Sequence, residues 1–485
     1  MTHVVRTRIL TLCLAVLPAG PAFTQTSSPQ AAPATSVSAA DVANIYVGTL
    51  KGVYLYHAAL NGKLTLVSGS PFKTTGLAIG SNGKSFITLG TDFVHSYAVA
   101  SNGAIGQQTS EINTQNYTGS ECGFTIGATL DHTGQNLYVE LNPYTLPPGV
   151  CVAYQTFNIA KDSGALTFNG AAVHDTDFPW QGGGFFAFAL TGNNQFAYAT
   201  NSFTTGALSA FQRESNGALE YTSFNETDPP LFEGTSSYQP FNLTEDPTNH
   251  LAVGLLTGGG GDLFLASYTV DAQGNIASTN TPENMPIAGV FPTAMQVSPS
   301  GKLLAISDNT GSHLRVFHFN GADPITPYSG EFKTDPINHI LWDNNDHLYA
   351  LSNNGDKLYA YTVTPTTIAE APGSPYTIAS PNLRNALIVV PASSCSAPAS
   401  DGVHICSPVS GSSVSSPVLI TATATVTGTI VSTQLWVDGV KNFNAPGSDT
   451  LTTSVSLAAG THRFAVIATN TAGQKWESTV SATVK

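Results

Sequence analysis

The chain has 485 residues, with 31 acidic against 17 basic ones and a formal charge of −14. Hydrophobic residues make up 41% and charged residues 10%, so there is apolar material for a large core but no basic field to hold a phosphate backbone, and nucleic-acid binding is excluded. The 24 Phe, 17 Tyr and 4 Trp exclude a wholly disordered chain, because that much aromatic surface has to be buried.

The first segment reads as a targeting sequence. Arg6 and Arg8 form a basic start, Ile9 to Leu17 a short apolar stretch, and Pro18 and Gly20 a helix break. Ala22-Phe23-Thr24 then offers small residues for cleavage before Gln25. The apolar stretch is too short to span a bilayer, which takes about 20 residues, and no later segment is apolar enough. The expectation is a signal peptide over 1–24, a flexible Ser/Ala/Pro/Thr linker over 25–43, and an exported protein, secreted or periplasmic, with no membrane span. With Cys13 removed, Cys122, Cys151, Cys395 and Cys406 remain, an even number for an oxidising compartment. Proximity favours the pairs Cys122–Cys151 and Cys395–Cys406 among the three possible connectivities.

From residue 44 to 392 the chain repeats. An aromatic strand leads to a Gly turn and then to Leu or Ile: Tyr56, Gly62, Leu64; Tyr97, Gly103, Ile105; Phe157, Gly164, Leu166; Phe211, Gly217, Leu219; Tyr268, Gly274, Ile276. A second kind of turn opens the middle strand of each unit, at 81–89, 131–141, 191–200, 246–255, 298–307 and 343–352. Short strands with aromatic and β-branched residues between Gly, Asn and Asp turns describe antiparallel four-stranded sheets. Such units bury both faces by stacking radially as propeller blades. Asn44 to Thr49 opens with a middle strand and lacks an inner one, while Arg384 to Val390 is an inner strand with nothing after it. Joined, the two ends complete a seventh blade and close the ring.

Tyr46-Val47-Gly48-Thr49, the SPSGK-LLA turn at 298, the NG hairpins, and the Gly-Ser-Pro-Phe (69–72) and Gly-Ser-Pro-Tyr (373–376) copies resemble the lactonase-like seven-bladed propeller family of YVTN-repeat type. That family includes phosphogluconolactonase-type and muconate-lactonizing enzymes and exported members without a known reaction. The resemblance implies the fold over 44–392. It also implies Arg-His or Pro-His pairs before inner strands. Here those stretches read Gly182-Gly183-Gly184-Phe185, Tyr238-Gln239-Pro240-Phe241 and Phe291-Pro292-Thr293, and only Asn338-His339 and Leu383-Arg384 keep a polar element.

Residues 393–485 change composition: a Ser/Pro/Ala/Gly stretch to 416 is followed by seven short strands, which resemble a bacterial immunoglobulin-like sandwich. Trp436 is expected in its core. The fold class expected for the whole chain is all-β, a seven-bladed propeller followed by this sandwich.

The chemistry is expected on the propeller rim where connections lead into inner strands. Lactone hydrolysis needs a base for water and a cation for the oxyanion. Glu121, Asp177 and His339 are candidate bases and Arg384 the candidate oxyanion or carboxylate binder, with Lys73 as a second cation. Asp177, Trp180 and Tyr238 are candidate ligand contacts. His174-Asp175-Thr176-Asp177 and Asp343-Asn344-Asn345-Asp346 read as solvated loop and turn, the run Gly258–Gly261 as hairpin, and no metal or cofactor motif is found. The missing family pairs, the low charge and the appended sandwich favour a protein that binds a small-molecule, carbohydrate or protein ligand at one rim. The alternative is an extracytoplasmic lactone hydrolase using the same residues. Asn116, Asn225 and Asn242 lie in N-x-Thr sequons.

Overall fold

The computed structural model describes residues 41–100, 102–117, 124–142, 152–173, 185–201, 208–225, 238–257, 263–278, 283–284, 292–308, 314–321, 325–328, 332, 334–391, 398, 400–408, 410–414 and 416–485. The first seven sheets are antiparallel and have four strands on their main path, which we letter a (inner) to d (outer). Blade 1 is built from both ends of the ring: its inner strand is Ala386–Pro391, followed by Ala43–Thr49, Gly52–Ala58 and Leu64–Leu66. The register runs from Ala43 opposite Pro391 to Gly48 opposite Ala386. The inner strands of blades 2 to 7 are Leu77–Ser81, Phe124–Leu130, Phe185–Leu190, Tyr238–Glu245, Pro292–Val297 and Ile337–Trp342. Six bladed repeats and one composite blade make seven, as the sequence repeats imply.

Among the described residues the propeller core is a ring of seven apolar clusters, one at each blade junction. Ala43, Ile45 and Val47 of blade 1 pack with Tyr349, Leu351 and Leu358 of blade 7, while Tyr46 and Leu55 face Ala78, Phe86 and Tyr97 of blade 2. Ile87 and Leu89 meet Leu137 and Val139 at the next junction, and Tyr138 and Tyr154 meet Ala197 and Phe211. Clusters around Tyr198 and Leu251, Leu265 and Leu304, and Leu303 and Leu348 close the circle. Each b strand sends alternate residues to its two neighbours, so both of its faces are buried. That is why these strands read as near-continuous apolar runs rather than as alternating ones.

The Gly turns of the repeat have a packing role. Each lies between strands c and d and touches the start of strand b in the preceding blade. Tyr46 donates to the Gly103 carbonyl at 2.8 Å, Tyr138 to Gly217 at 2.9 Å and Tyr198 to Gly274 at 2.6 Å. At Gly103 and Gly217 φ is +80° and +93°, and an added Cβ would collide with Asn44 and with Asn136 of the neighbouring blade. Backbone conformation and close approach both exclude a side chain there. The Gly-Ser-Pro motifs are equivalent devices in blades 1 and 7. Ser70 and Ser374 accept from the Leu55 and Ala360 amides of strand c, and the following aromatic pairs back onto that strand, Phe72 with Val53 and Tyr376 with Leu358.

After the propeller, a three-stranded and a five-stranded sheet form the sandwich, around Ile420, Leu435, Val437, Phe464 and Val466. Among the described residues it has eight strands, because Gly402–Ser407, within the stretch read as linker, pairs with Val418–Thr425. Trp436 corrects the expectation of a core tryptophan. On Ile430–Val437 the core positions are Leu435 and Val437, so Trp436 lies on the opposite face, half-buried, with its indole N–H donating to Gln434 Oε1 at 3.2 Å. Asp449 of the sandwich pairs with Lys161 at 2.9 Å and Lys84 at 3.8 Å, which belong to turns of blades 3 and 2.

Candidate functional site at the junction of blades 7 and 1

In an antiparallel blade the a–b and c–d turns fall on one rim, and the b–c turns and blade-to-blade connections on the other. The a–b turns close on one another. Asn82 donates to the Gly134 carbonyl at 2.7 Å, and the His132 and Asn193 amides donate to Asn194 and Asn249 side chains at 3.2 and 2.9 Å. Their polar groups are spent on turn geometry: Asp131, Asp246 and Asp343 each accept backbone amides of their own turn. Asp343 therefore serves as a turn cap that also holds His347 at 2.8 Å and Tyr349 at 2.9 Å.

The opposite rim carries the candidate residues. Inner strands enter it through a recurring irregularity: the a–b register shifts between Ala78 and Gly80, Thr125 and Gly127, Phe185 and Phe188, Pro240 and Asn242, Pro292 and Ala294, and Ile337 and His339. Bulges re-aim side chains and sit beside functional sites in many sheets. In blade 7 the extra residue is Asn338, and His339 follows it. The Asn338 amide nitrogen lies 3.4 Å from His339 Nε2 and 3.5 Å from the Leu383 carbonyl. An amide N–H is a donor, so Nε2 is the acceptor there and the ring proton is assigned to Nδ1. His339 is half-buried. Desolvation holds its pKa below the ordinary imidazole value, partly offset by a hydrogen bond to the Asn385 backbone. The ring is thus kept neutral.

Arg384 reaches the same corner from blade 1. Its amide donates to Asn382 Oδ1 at 2.8 Å, its side chain is exposed, and it makes no ion pair among the described residues. Asn385 behind it is buried, and its amide group donates to the Gly355 and Ser380 carbonyls at 3.0 and 2.9 Å, fastening the blade 1 entrance to blade 7. Two candidates from distant parts of the sequence, His339 and Arg384, are therefore neighbours through Asn385. Tyr238 begins the blade 5 inner strand, opposite Thr257. Glu121, Asp177, Trp180, Cys122, Cys151 and Cys395 lie outside the described residues. Cys406 is disulfide-bonded.

Asp335, which precedes the blade 7 inner strand, is a further ionisable residue of this rim. Lys357 Nζ lies 2.6 Å from Asp335 Oδ2, and the Tyr359 hydroxyl donates to the same oxygen at 3.0 Å. The lysine hydrogen bond holds the Asp335 carboxyl below its ordinary pKa and raises that of Lys357. This acid is committed to an ion pair with Lys357. The signal available in sequence was spacing: Lys357 and Tyr359 alternate on one face of strand c.

Residues 402–466 match the bacterial Ig domain family. No curated protein matches the chain significantly. Among solved structures, a protein assigned provisionally as a 6-phosphogluconolactonase from Bacteroides uniformis is 15% identical, with a TM-score of 0.54, over 72% of this chain and 100% of that one. The periplasmic gluconolactonase of Pseudomonas aeruginosa is 13% identical, with a TM-score of 0.52, over 72% of this chain and 99% of that one. At such identities the likeness is one of fold. The chain thus has the fold of a seven-bladed β-propeller, similar to that of these lactonase structures, and after it a region similar to bacterial immunoglobulin-like domains.

Proposed function

We propose that the protein is exported and uses the rim at the junction of blades 7 and 1 to bind a carbohydrate-like ligand. The observation that carries this reading is the pairing of unlike groups at one corner. Arg384 is exposed without an ion-pair partner among the described residues, and the neutral His339 stands beside it through Asn385. An unpaired guanidinium next to neutral acceptor and donor groups suits a polyhydroxylated ligand bearing partial or full negative charge. The basic, apolar and small-residue order of residues 6–24 supports export, and Cys395–Cys406 and Cys122–Cys151 are the disulfides proposed for that compartment. The experiment is a saccharide-binding panel on the mature chain. Binding weakened about tenfold or more by Arg384→Ala is expected for a charge-assisted contact, and binding that ignores Arg384→Ala and His339→Ala contradicts the reading.

A second reading, lactone hydrolysis, is favoured by one observation. A neutral histidine beside a free cation supplies a base for water and a group for the oxyanion. Against it, no carboxylate acts on His339 among the described residues, and the Asn385 backbone hydrogen bond, which favours the imidazolium that proton abstraction would create, is outweighed by desolvation.

A further inference from the structure

Blade 1 meets this rim with three segments: the turn between Ala43–Thr49 and Gly52–Ala58, the connection over residues 67–76, and the connection over residues 379–385. Together they contain Lys51, Lys73 and Arg384 and no Asp or Glu. In a chain of charge −14 that is a local reversal of sign. Acids return on both sides, Asp92 in blade 2 and Asp335 and Asp356 in blade 7. All three cations are exposed, and none makes an ion pair among the described residues; Lys357, the cation of the neighbouring sector, is paired with Asp335.

The backbone brings the three together. Gly48 stands opposite Ala386, so Arg384, two residues before Ala386, and Lys51, three after Gly48, extend from the same end of the same strand pair. On the other side Val53 and Phe72 exchange both backbone hydrogen bonds at 2.8 Å, which sets Lys73 beside the turn holding Lys51. A Cβ at Gly52 would run into the Phe72 carbonyl, and φ there is +125°, so this approach depends on glycine. Neighbouring strands are about 4.8 Å apart, and the row from Arg384 to Lys73 therefore spans about 15 Å. Leu50 and Leu383, next to Lys51 and Arg384 in the chain, are exposed at 68% and 62%, and Leu77, which opens the next inner strand after Lys73, at 42%.

We infer that this row, Arg384, Lys51 and Lys73, is a binding surface for an acidic saccharide, one that presents several carboxylates along a hydroxylated chain. The inference rests on the rim-binding reading and names its ligand class. Three charges in a row on an open edge match spaced carboxylates, and the exposed leucines match the apolar C–H faces of sugar rings. A peptide is the less suitable acidic partner, because the strand edge here is already taken by Phe72 on Val53, leaving no main-chain edge to extend. The acidic remainder of the protein repels the same ligand elsewhere, which confines it to this sector.

The test is calorimetric titration of the full mature chain with oligogalacturonate, neutral dextran oligosaccharide and poly-glutamate, in low and high salt. Oligogalacturonate should bind, lose about tenfold in affinity between low and physiological salt, and lose about tenfold again in Lys51→Glu and in Lys73→Glu, with circular dichroism unchanged in both. Binding of dextran as tight as that of oligogalacturonate, or oligogalacturonate affinity unmoved by Lys51→Glu and Lys73→Glu, overturns the inference. Of these, dextran binding that still depends on Arg384 leaves the rim-binding reading standing, whereas no binding of either saccharide removes both. Tighter binding of poly-glutamate than of oligogalacturonate assigns the row to an acidic peptide and overturns the saccharide.

Discussion

The Tyr138 hydroxyl donates to the Gly217 carbonyl at 2.9 Å, so a strand b residue of blade 3 is fastened to the c–d turn of blade 4. Arg213 of blade 4 returns the contact, donating to that hydroxyl at 2.9 Å and to Asp131 Oδ2 at 3.1 Å. The Asp131 side chain has no exposure. Removing the guanidinium leaves the buried Asp131 carboxylate with the hydrogen bonds of its own turn but no cation, so Arg213→Ala should cost about 3 kcal/mol. Tyr138→Phe, which removes one hydrogen-bonding group, should cost about 1–2 kcal/mol. Denaturant melts of both single variants and the double variant check this. Additive losses would contradict a shared network.

Closure of the ring by Ala386–Pro391 on Ala43–Thr49 predicts that blade 1 is not a dispensable end. Ile388 is 5% exposed and packs with Tyr46, Phe86 and Tyr97. Ile388→Asp should cost more than about 3 kcal/mol, from a buried charge and lost packing, and deletion of residues 386–391 should abolish the cooperative thermal transition. An unchanged melting temperature in the deletion would contradict closure.

His339 predicts a pH dependence. Its folded-state pKa lies below the ordinary value of 6.5 because burial disfavours the imidazolium. The unfolded chain then takes the proton more readily than the folded one. Stability from the neutral ring is present above pH 6.5 and is lost as pH falls through the lower folded-state value. His339→Gln should flatten that part of a melting-temperature profile, and an identical acid limb in both proteins would contradict the assignment.

The cysteines give a chemical prediction. Peptide mapping of exported protein should find Cys395 joined to Cys406, and Cys122 to Cys151. Reduction should lower stability by about 2–4 kcal/mol for each bond closed. A Cys122–Cys406 peptide would contradict both pairings.

The propeller was legible in the sequence because its two signals are local. The glycines recur where a c–d turn must take positive φ against the neighbouring blade, and strand b is apolar on both faces. The composite blade was legible from what each end lacked. Gly402–Ser407 was not, since a six-residue edge strand flanked by Ser and Pro offers no alternation to read. Trp436 was misplaced for a related reason: hydrophobicity alone does not say which face of a strand is inward, whereas Leu435 and Val437 do. At the candidate site, His339 and Arg384 were proposed from their positions before inner strands. Their connection through Asn385 was not, because a buried asparagine that clamps two carbonyls looks like any loop residue. Asn242 shows the converse. Its sequon is visible, yet the residue is buried in the blade 5 inner strand, closed to a glycosylating enzyme in the folded state.

The central claim is that the corner shared by His339 and Arg384 binds its ligand without turning it over. The most direct measurement is lactone hydrolysis by the purified mature protein across aldonolactones, beside His339→Ala and Arg384→Ala. The account predicts rates equal to the uncatalysed background for all three proteins, with saccharide binding present only when Arg384 is intact. Lactone turnover well above background that falls to it in His339→Ala would contradict the account and make His339 the base of a hydrolase.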